Sequence, residues 1–171
     1  MELKANKQVP ESVHLQIEEL YTQIRNISHD LMPPTFQYVS LYQNIAGYLT
    51  LLNEQSKTDF ELVVENDEIE VPQHIAFEIY RIIQETTGNI IKHAHAEKAQ
   101  VIFQSKNNYV ILIIEDNGRG FDIDKQRKGI GLQIIIDRCK SINAQLRIDT
   151  LPSKGCKLEI AIPLSPQDVH E

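Results

Sequence analysis

Cysteine, basic charge and long apolar stretches are all in short supply in this chain, and each shortage removes a class of function. Cys139 and Cys156 are the only cysteines among 171 residues. They stand far apart with no ligand-like spacing, so small core residues in a reducing compartment, and no metal cluster, are expected. The longest apolar run, Val110 to Ile114, falls far short of the roughly 20 residues that span a bilayer. The start, MELKANKQVPES, has no apolar centre of the kind a signal peptide carries. The chain is therefore expected to be soluble and cytoplasmic, with no membrane contact of its own. Lys and Arg total 17 against 24 Asp and Glu, a net charge of −7. A nucleic-acid partner, whose phosphates demand a basic face, is not expected. Internal repeats and low-complexity tracts are also missing.

What is present is an ordinary apolar fraction of 42%, enough for one well-buried domain with a helical appendage. Over residues 10–31 the apolar positions Val13, Ile17, Leu20, Ile24, Ile27 and Leu31 repeat at intervals of 4, 3, 4, 3 and 4, the seam of a helix that packs on other helices. Pro33-Pro34 ends it. A second helix over 38–53 carries Leu41, Ile45, Leu49 and Leu52 in phase, and Phe60, Leu62 and Val64 then alternate as a strand. Pro72 stands where a long, mostly buried helix over 73–93 begins. Two apolar runs, 99–104 and 109–115, flank the turn Ser105-Lys106-Asn107-Asn108 as a central hairpin. A helix over 131–142 and two closing strands, 145–150 and 156–163, complete the order. The fold class expected is α/β in the α+β sense: a two-layer sandwich of a mixed sheet with about three helices on one face, preceded by a long helix. It is not the alternation of a dinucleotide-binding fold, so the glycines are not a Rossmann fingerprint.

The chemistry-bearing segment is EDNGRGFDIDKQRKGIGL, 115–132. Asp116 follows an apolar strand directly and stands beside Gly118 and Gly120, where a ligand can approach the backbone. Its carboxylate can accept a hydrogen bond from an exocyclic amine such as that of adenine; a loop-capping Asp in a tight turn is the bland alternative. Gly129 and Gly131 open a helix whose bare amides suit a phosphate. On helix 73–93, Glu85, Asn89 and Lys92 or His93 lie three or four residues apart and share a face. A solvated edge would explain that row. A site would use Asn89 as a neutral oxygen for Mg²⁺, Lys92 and His93 against phosphate charge, and Glu85 as a proton acceptor. Gly88 costs roughly 1 kcal/mol relative to Ala inside a helix, and close packing is the one reason the sequence offers for it.

Together and in this order, these elements resemble the catalytic ATP-binding domain of sensor histidine kinases, within the superfamily of gyrase, Hsp90 and MutL ATPases. YRIIQETTGNIIKHAHA resembles the N box, EDNGRGF the first glycine box, GIGL the second and PSKGCKLEIAIPL the closing strand pair. The resemblance covers nearly the whole chain. It implies that Asn89 ligates Mg²⁺, that Asp116 reads adenine, and that Gly118 and Gly120 shape the adenine pocket. It also implies that Lys92 and His93 approach the phosphates, that Gly129, Gly131 and Leu132 close the lid side, that Gly155 belongs to the ATP site, and that Glu85 is the N-box glutamate. The cofactors implied are ATP and Mg²⁺. The implied organisation is 1–35 as the end of a dimerisation region, 36–165 as the catalytic domain and 166–171 as a tail.

On this resemblance the chain takes part in transfer of the ATP γ-phosphoryl group to a histidine, for relay to a response regulator. The parent would be a homodimer, compatible with membrane anchoring, and its own upstream dimerisation helix would be a partner. Ser28-His29-Asp30-Leu31 looks like a phosphoacceptor. Against His29, one helix alone separates it from the first strand, the order expected when the acceptor lies on an earlier helix outside the chain. His14, His74, His95 and His170 are expected at the surface. Two departures stand out: Cys156 replaces the usual Thr or Ser after the glycine, and the stretch between Gly120 and Gly129 is short. A non-catalytic ATP-binding regulatory module and an anti-sigma type serine kinase are the alternatives.

Overall fold

The computed structural model describes residues 39–65, 70–123 and 130–164. The chain divides into units 1–34 and 35–171, and all described residues belong to the second. The heptad helix over 10–31, with His14 and His29, lies outside the described residues, as do Gly129 and His170.

Helix α1, Leu41–Gln55, starts on a reciprocal cap: the Ser40 hydroxyl accepts from the Gln43 amide at 3.2 Å, and the Gln43 side chain accepts from the Ser40 amide at 3.2 Å. Leu41, Tyr42, Ile45 and Leu49 form its buried stripe. Strand β1, Asp59–Val64, follows. Helix α2, Gln73–Asn89, begins directly after Pro72, which fixes the backbone outside the helix and surrenders no helical hydrogen bond there. Strands β2, Lys98–Lys106, and β3, Tyr109–Asp116, form a hairpin whose two-residue loop, Asn107 and Asn108, has φ of 50° and 61°. Asparagine tolerates that left-handed pair, which matches the twist of the flanking strands. Helix α3, Ile130–Ser141, and strands β4, Gln145–Thr150, and β5, Cys156–Pro163, close the fold.

The five strands are ordered β1-β2-β3-β5-β4, with β1 parallel to β2 and all other pairs antiparallel. Period-two alternation turns one apolar row after another toward the helices. Leu62, Val101, Ile114, Leu158 and Ile148 lie side by side across the sheet, and Phe103, Leu112, Ile160 and Leu146 form the next row toward the hairpin. The three helices supply Ile45, Ile79, Ile82, Ile83 and Ile135 to the same core. Tyr42 packs edge-on against Phe103 at 5.1 Å, which seats α1 on β2.

One expectation changes in detail. The helix over 73–93 keeps α geometry to Asn89 and then widens into a π turn, Ile90–Ala94, ended by His95 at φ 52°. The wider turn shifts the phase, and Ile91, expected to be buried, is 40% exposed.

Candidate functional site

Asp116 is the last residue of β3 and continues the row Val110, Leu112, Ile114, so it belongs to the helix-facing side of the sheet. Register places Ala99 of β2 on one side of it and Cys156 of β5 on the other, with Thr150 of β4 beyond. Burial pushes the Asp116 carboxyl above the ordinary carboxylate range, opposed by the Gly118 amide, which donates to its Oδ1 at 2.8 Å. Burial, and then the charge of Asp116, push the Cys156 thiol up to about 11, opposed by its hydrogen bond with Thr150. The thiol is therefore a neutral neighbour of the carboxylate.

The loop after Asp116 is clamped from two sides. The Arg119 amide donates to the Ala94 carbonyl at 2.8 Å, at the end of the π turn, and the Ser153 amide donates to the Arg119 carbonyl at 2.5 Å. Thr150 Oγ1 accepts from the Phe121 amide at 3.1 Å and donates to the Gly155 carbonyl at 3.0 Å, tying the loop exit to the β4–β5 turn. Gly155, at φ 71°, stands so close to the Asp116 carbonyl that a β-carbon would collide with it. Only glycine meets both conditions without strain. Gly118 and Gly120 are equally tight, against Ala94 and Leu151.

The second part of the site lies where α2 meets α3. The Asn89 amide nitrogen donates to Glu85 Oε1 at 3.2 Å, which leaves the amide oxygen as the end with ligand capacity. Gly131, in the first turn of α3, faces this pair: a β-carbon there would sit 2.6 Å from Glu85 Oε1 and 3.0 Å from Asn89 Nδ2. The start of α3 thus comes directly against Glu85 and Asn89 of α2. Arg138 of α3 holds the two helices together through Glu78 of α2 at 2.8 Å. Lys92 and His93 are exposed on the π turn, past the end of the regular α phase, and Leu132 is half-buried in α3. His74 and His95 are exposed. Gly88 has open space around its β-carbon position, so close packing is not its reason.

A cavity of about 710 Å³ opens at this end of the sheet, walled mainly by Asp59, Glu61, Lys98, Gln100, Glu115 and Lys157, which project from the face away from the helices. It touches Asp116, Thr150 and Cys156 from behind and is not the space between sheet and helices. Thr150 and the Ala94 carbonyl are the contributors sequence reasoning missed. Among the described residues no three His, Cys, Asp or Glu side chains converge to hold a metal ion.

A glycine loop clamped at the strand ends stands beside a helix whose Glu85–Asn89 pair meets Gly131 of α3, and residues 74–166 match the family model for histidine kinase-, DNA gyrase B- and HSP90-like ATPases. The chain belongs to this family. Over its whole length it is 28% identical to the sensor protein VraS of Staphylococcus aureus (strain COL), 49% of which is covered, and over 98% of its length 28% identical to VraS of Staphylococcus epidermidis (strain ATCC 12228). The chain thus spans about half the length of the curated relatives it matches. In fold it is similar to the Acinetobacter baumannii histidine kinase AdeS, with TM-score 0.66 and 17% identity over 94% of this chain and 88% of that one. The histidine kinase domain of the Erythrobacter litoralis EL346 blue-light activated kinase is a second likeness, with TM-score 0.62 and 22% identity over 73% of this chain and 60% of that one. Among the described residues no helix is long and apolar enough to cross a membrane.

Proposed function

We propose that this chain binds ATP with Mg²⁺ between the strand ends and the α2–α3 pair, and that in the whole protein the γ-phosphoryl group passes to a histidine for relay to a response regulator. Asp116 accepts from the adenine amino group, and Gly118, Gly120 and Gly155 shape its pocket by letting the loop pack closely on Ala94, Leu151 and Asp116. Asn89 offers its amide oxygen to the metal, held in orientation by Glu85. Mg²⁺, when bound, neutralises charge on the phosphate oxygens, and its habit of taking most ligands from water and phosphate fits a site with a single amide oxygen. Lys92 and His93 meet phosphate charge, while Gly129, Gly131 and Leu132 close the opposite side. An imidazole nitrogen forms the new P–N bond as the bond to the bridging oxygen breaks and ADP leaves. The acceptor lies outside this chain, residues 1–35 end a dimerisation region, and 36–165 carry the nucleotide site of a cytoplasmic, homodimeric kinase portion.

The observation that supports this reading most is the contact of Gly131 with Glu85 and Asn89, which brings the start of α3 against the polar pair of α2. The test is calorimetric titration with ATP with and without Mg²⁺, followed by incubation with radiolabelled ATP and a fragment bearing the upstream helix. Mg²⁺ is expected to tighten binding, Asn89→Ala to remove that gain, and the label to reach a histidine as an acid-labile adduct. Acid-stable label would favour a serine kinase. Nucleotide binding with no label would leave a binding module.

A further inference from the structure

Helix α2 is built from weak helix formers just before Asn89. Thr86, Thr87 and Gly88 are successive residues of low helix propensity. Both hydroxyls turn back onto helix carbonyls, Thr86 Oγ1 donating to Ile82 at 2.8 Å and Thr87 Oγ1 to Ile83 at 2.8 Å, a contact that bends helices. Gly88 has nothing around its β-carbon position. The Ile90 amide is shared between the Thr86 and Thr87 carbonyls, and the π turn starts there. Such a segment needs an outside hold. Thr87, fully buried, has one: Tyr48 of α1 meets its Oγ1 at 3.0 Å. Because the Thr87 proton is already directed at Ile83, the tyrosine hydroxyl is the donor. The Tyr48 ring lies 5.7 Å from that of Tyr80, one helical stretch earlier on α2.

We infer that Tyr48 is a positioning residue for the metal end of the site: its bond to Thr87 holds the loosened end of α2 so that Asn89 stays paired with Glu85. The inference rests on the assignment of Asn89 to Mg²⁺ proposed above, but its structural half can be read without nucleotide. In the full chain, Tyr48→Phe should speed amide hydrogen exchange across Asn89–Ala94 by roughly three- to tenfold, the size of one lost hydrogen bond, and leave β2 and β3 unchanged. ATP affinity without Mg²⁺ should stay at the wild-type value, while the gain from Mg²⁺ falls by a similar factor. Thr87→Val should do the same, the double variant should be no worse than either single one, and Thr87→Ser should retain the wild-type gain. Unchanged exchange at Asn89–Ala94 in Tyr48→Phe overturns the inference, as does a full Mg²⁺ gain in that variant. If the wild-type chain itself shows no Mg²⁺ gain, the assignment of Asn89 falls, and the exchange measurement alone decides whether Tyr48 holds the helix.

Discussion

The two parts of the site are built in opposite ways. At the strand ends, the loop carrying Gly118 and Gly120 is pinned by backbone hydrogen bonds to Ala94 and Ser153 and by Thr150, with glycines packed so closely that no β-carbon fits. At the helix end, Thr86, Thr87 and Gly88 are weak helix formers, and α geometry gives way to a π turn just past Asn89. A pocket for a flat ring benefits from rigidity, because a preformed shape costs nothing to organise on binding. The helix end relies instead on a hold from outside, the Tyr48 hydroxyl of α1 on Thr87.

Substitutions can break this contrast or sharpen it. The largest effect is expected from Gly155→Ala, which sets a β-carbon against the Asp116 carbonyl at φ 71°. A loss of about 3 kcal/mol is expected from overpacking and backbone strain together, read by urea unfolding. A near-wild-type midpoint would show that the strand end is not rigid. Next is Asp116→Asn, which should lower ATP affinity by a hundredfold or more, on the order of a buried polar mismatch, while the fold survives. Burial raises the carboxyl's pKa in the folded chain, so its ionised form costs stability. That cost is absent below the unfolded value and grows as pH rises through the folded one. Asp116→Asn should therefore be at least as stable as wild type at neutral pH, and thermal unfolding at pH 7 and pH 4 should show any advantage shrinking in acid. Unchanged ATP affinity in this variant would sink the adenine assignment.

Gly88→Ala probes the helix end. With open space for the methyl group, it should stabilise the chain by about 1 kcal/mol. Urea unfolding reads that gain as a higher midpoint. The smallest effect concerns the thiols. Cys139 and Cys156 are buried and pushed to about 11, so both should react slowly with iodoacetamide at pH 8, and ATP should protect Cys156 alone.

Element order, the central hairpin and the alternation of Phe60, Leu62 and Val64 in β1 were legible because they rest on local periodicity. The candidate residues Glu85, Asn89, Asp116, Gly118 and Gly131 were legible for a similar reason: each sits in a short segment with its own spacing or turn chemistry. Thr150 was not, because its partner Phe121 lies 29 residues away and a lone Thr at a strand end signals nothing. Nor was the Tyr48–Thr87 bond, which joins residues 39 apart on two helices. The π turn was hidden because Ile90 and Ile91 read equally well as one more turn of α-helix.

By itself, then, the sequence determined which elements form and in what order, since propensity and periodicity act over a few residues. Only the tertiary structure decided that Gly131 would press on Glu85 and Asn89, that Gly155 would abut Asp116, and that a tyrosine from α1 would hold the end of α2. Those contacts depend on how helices and strands pack at ångström precision, and no local pattern encodes that distance.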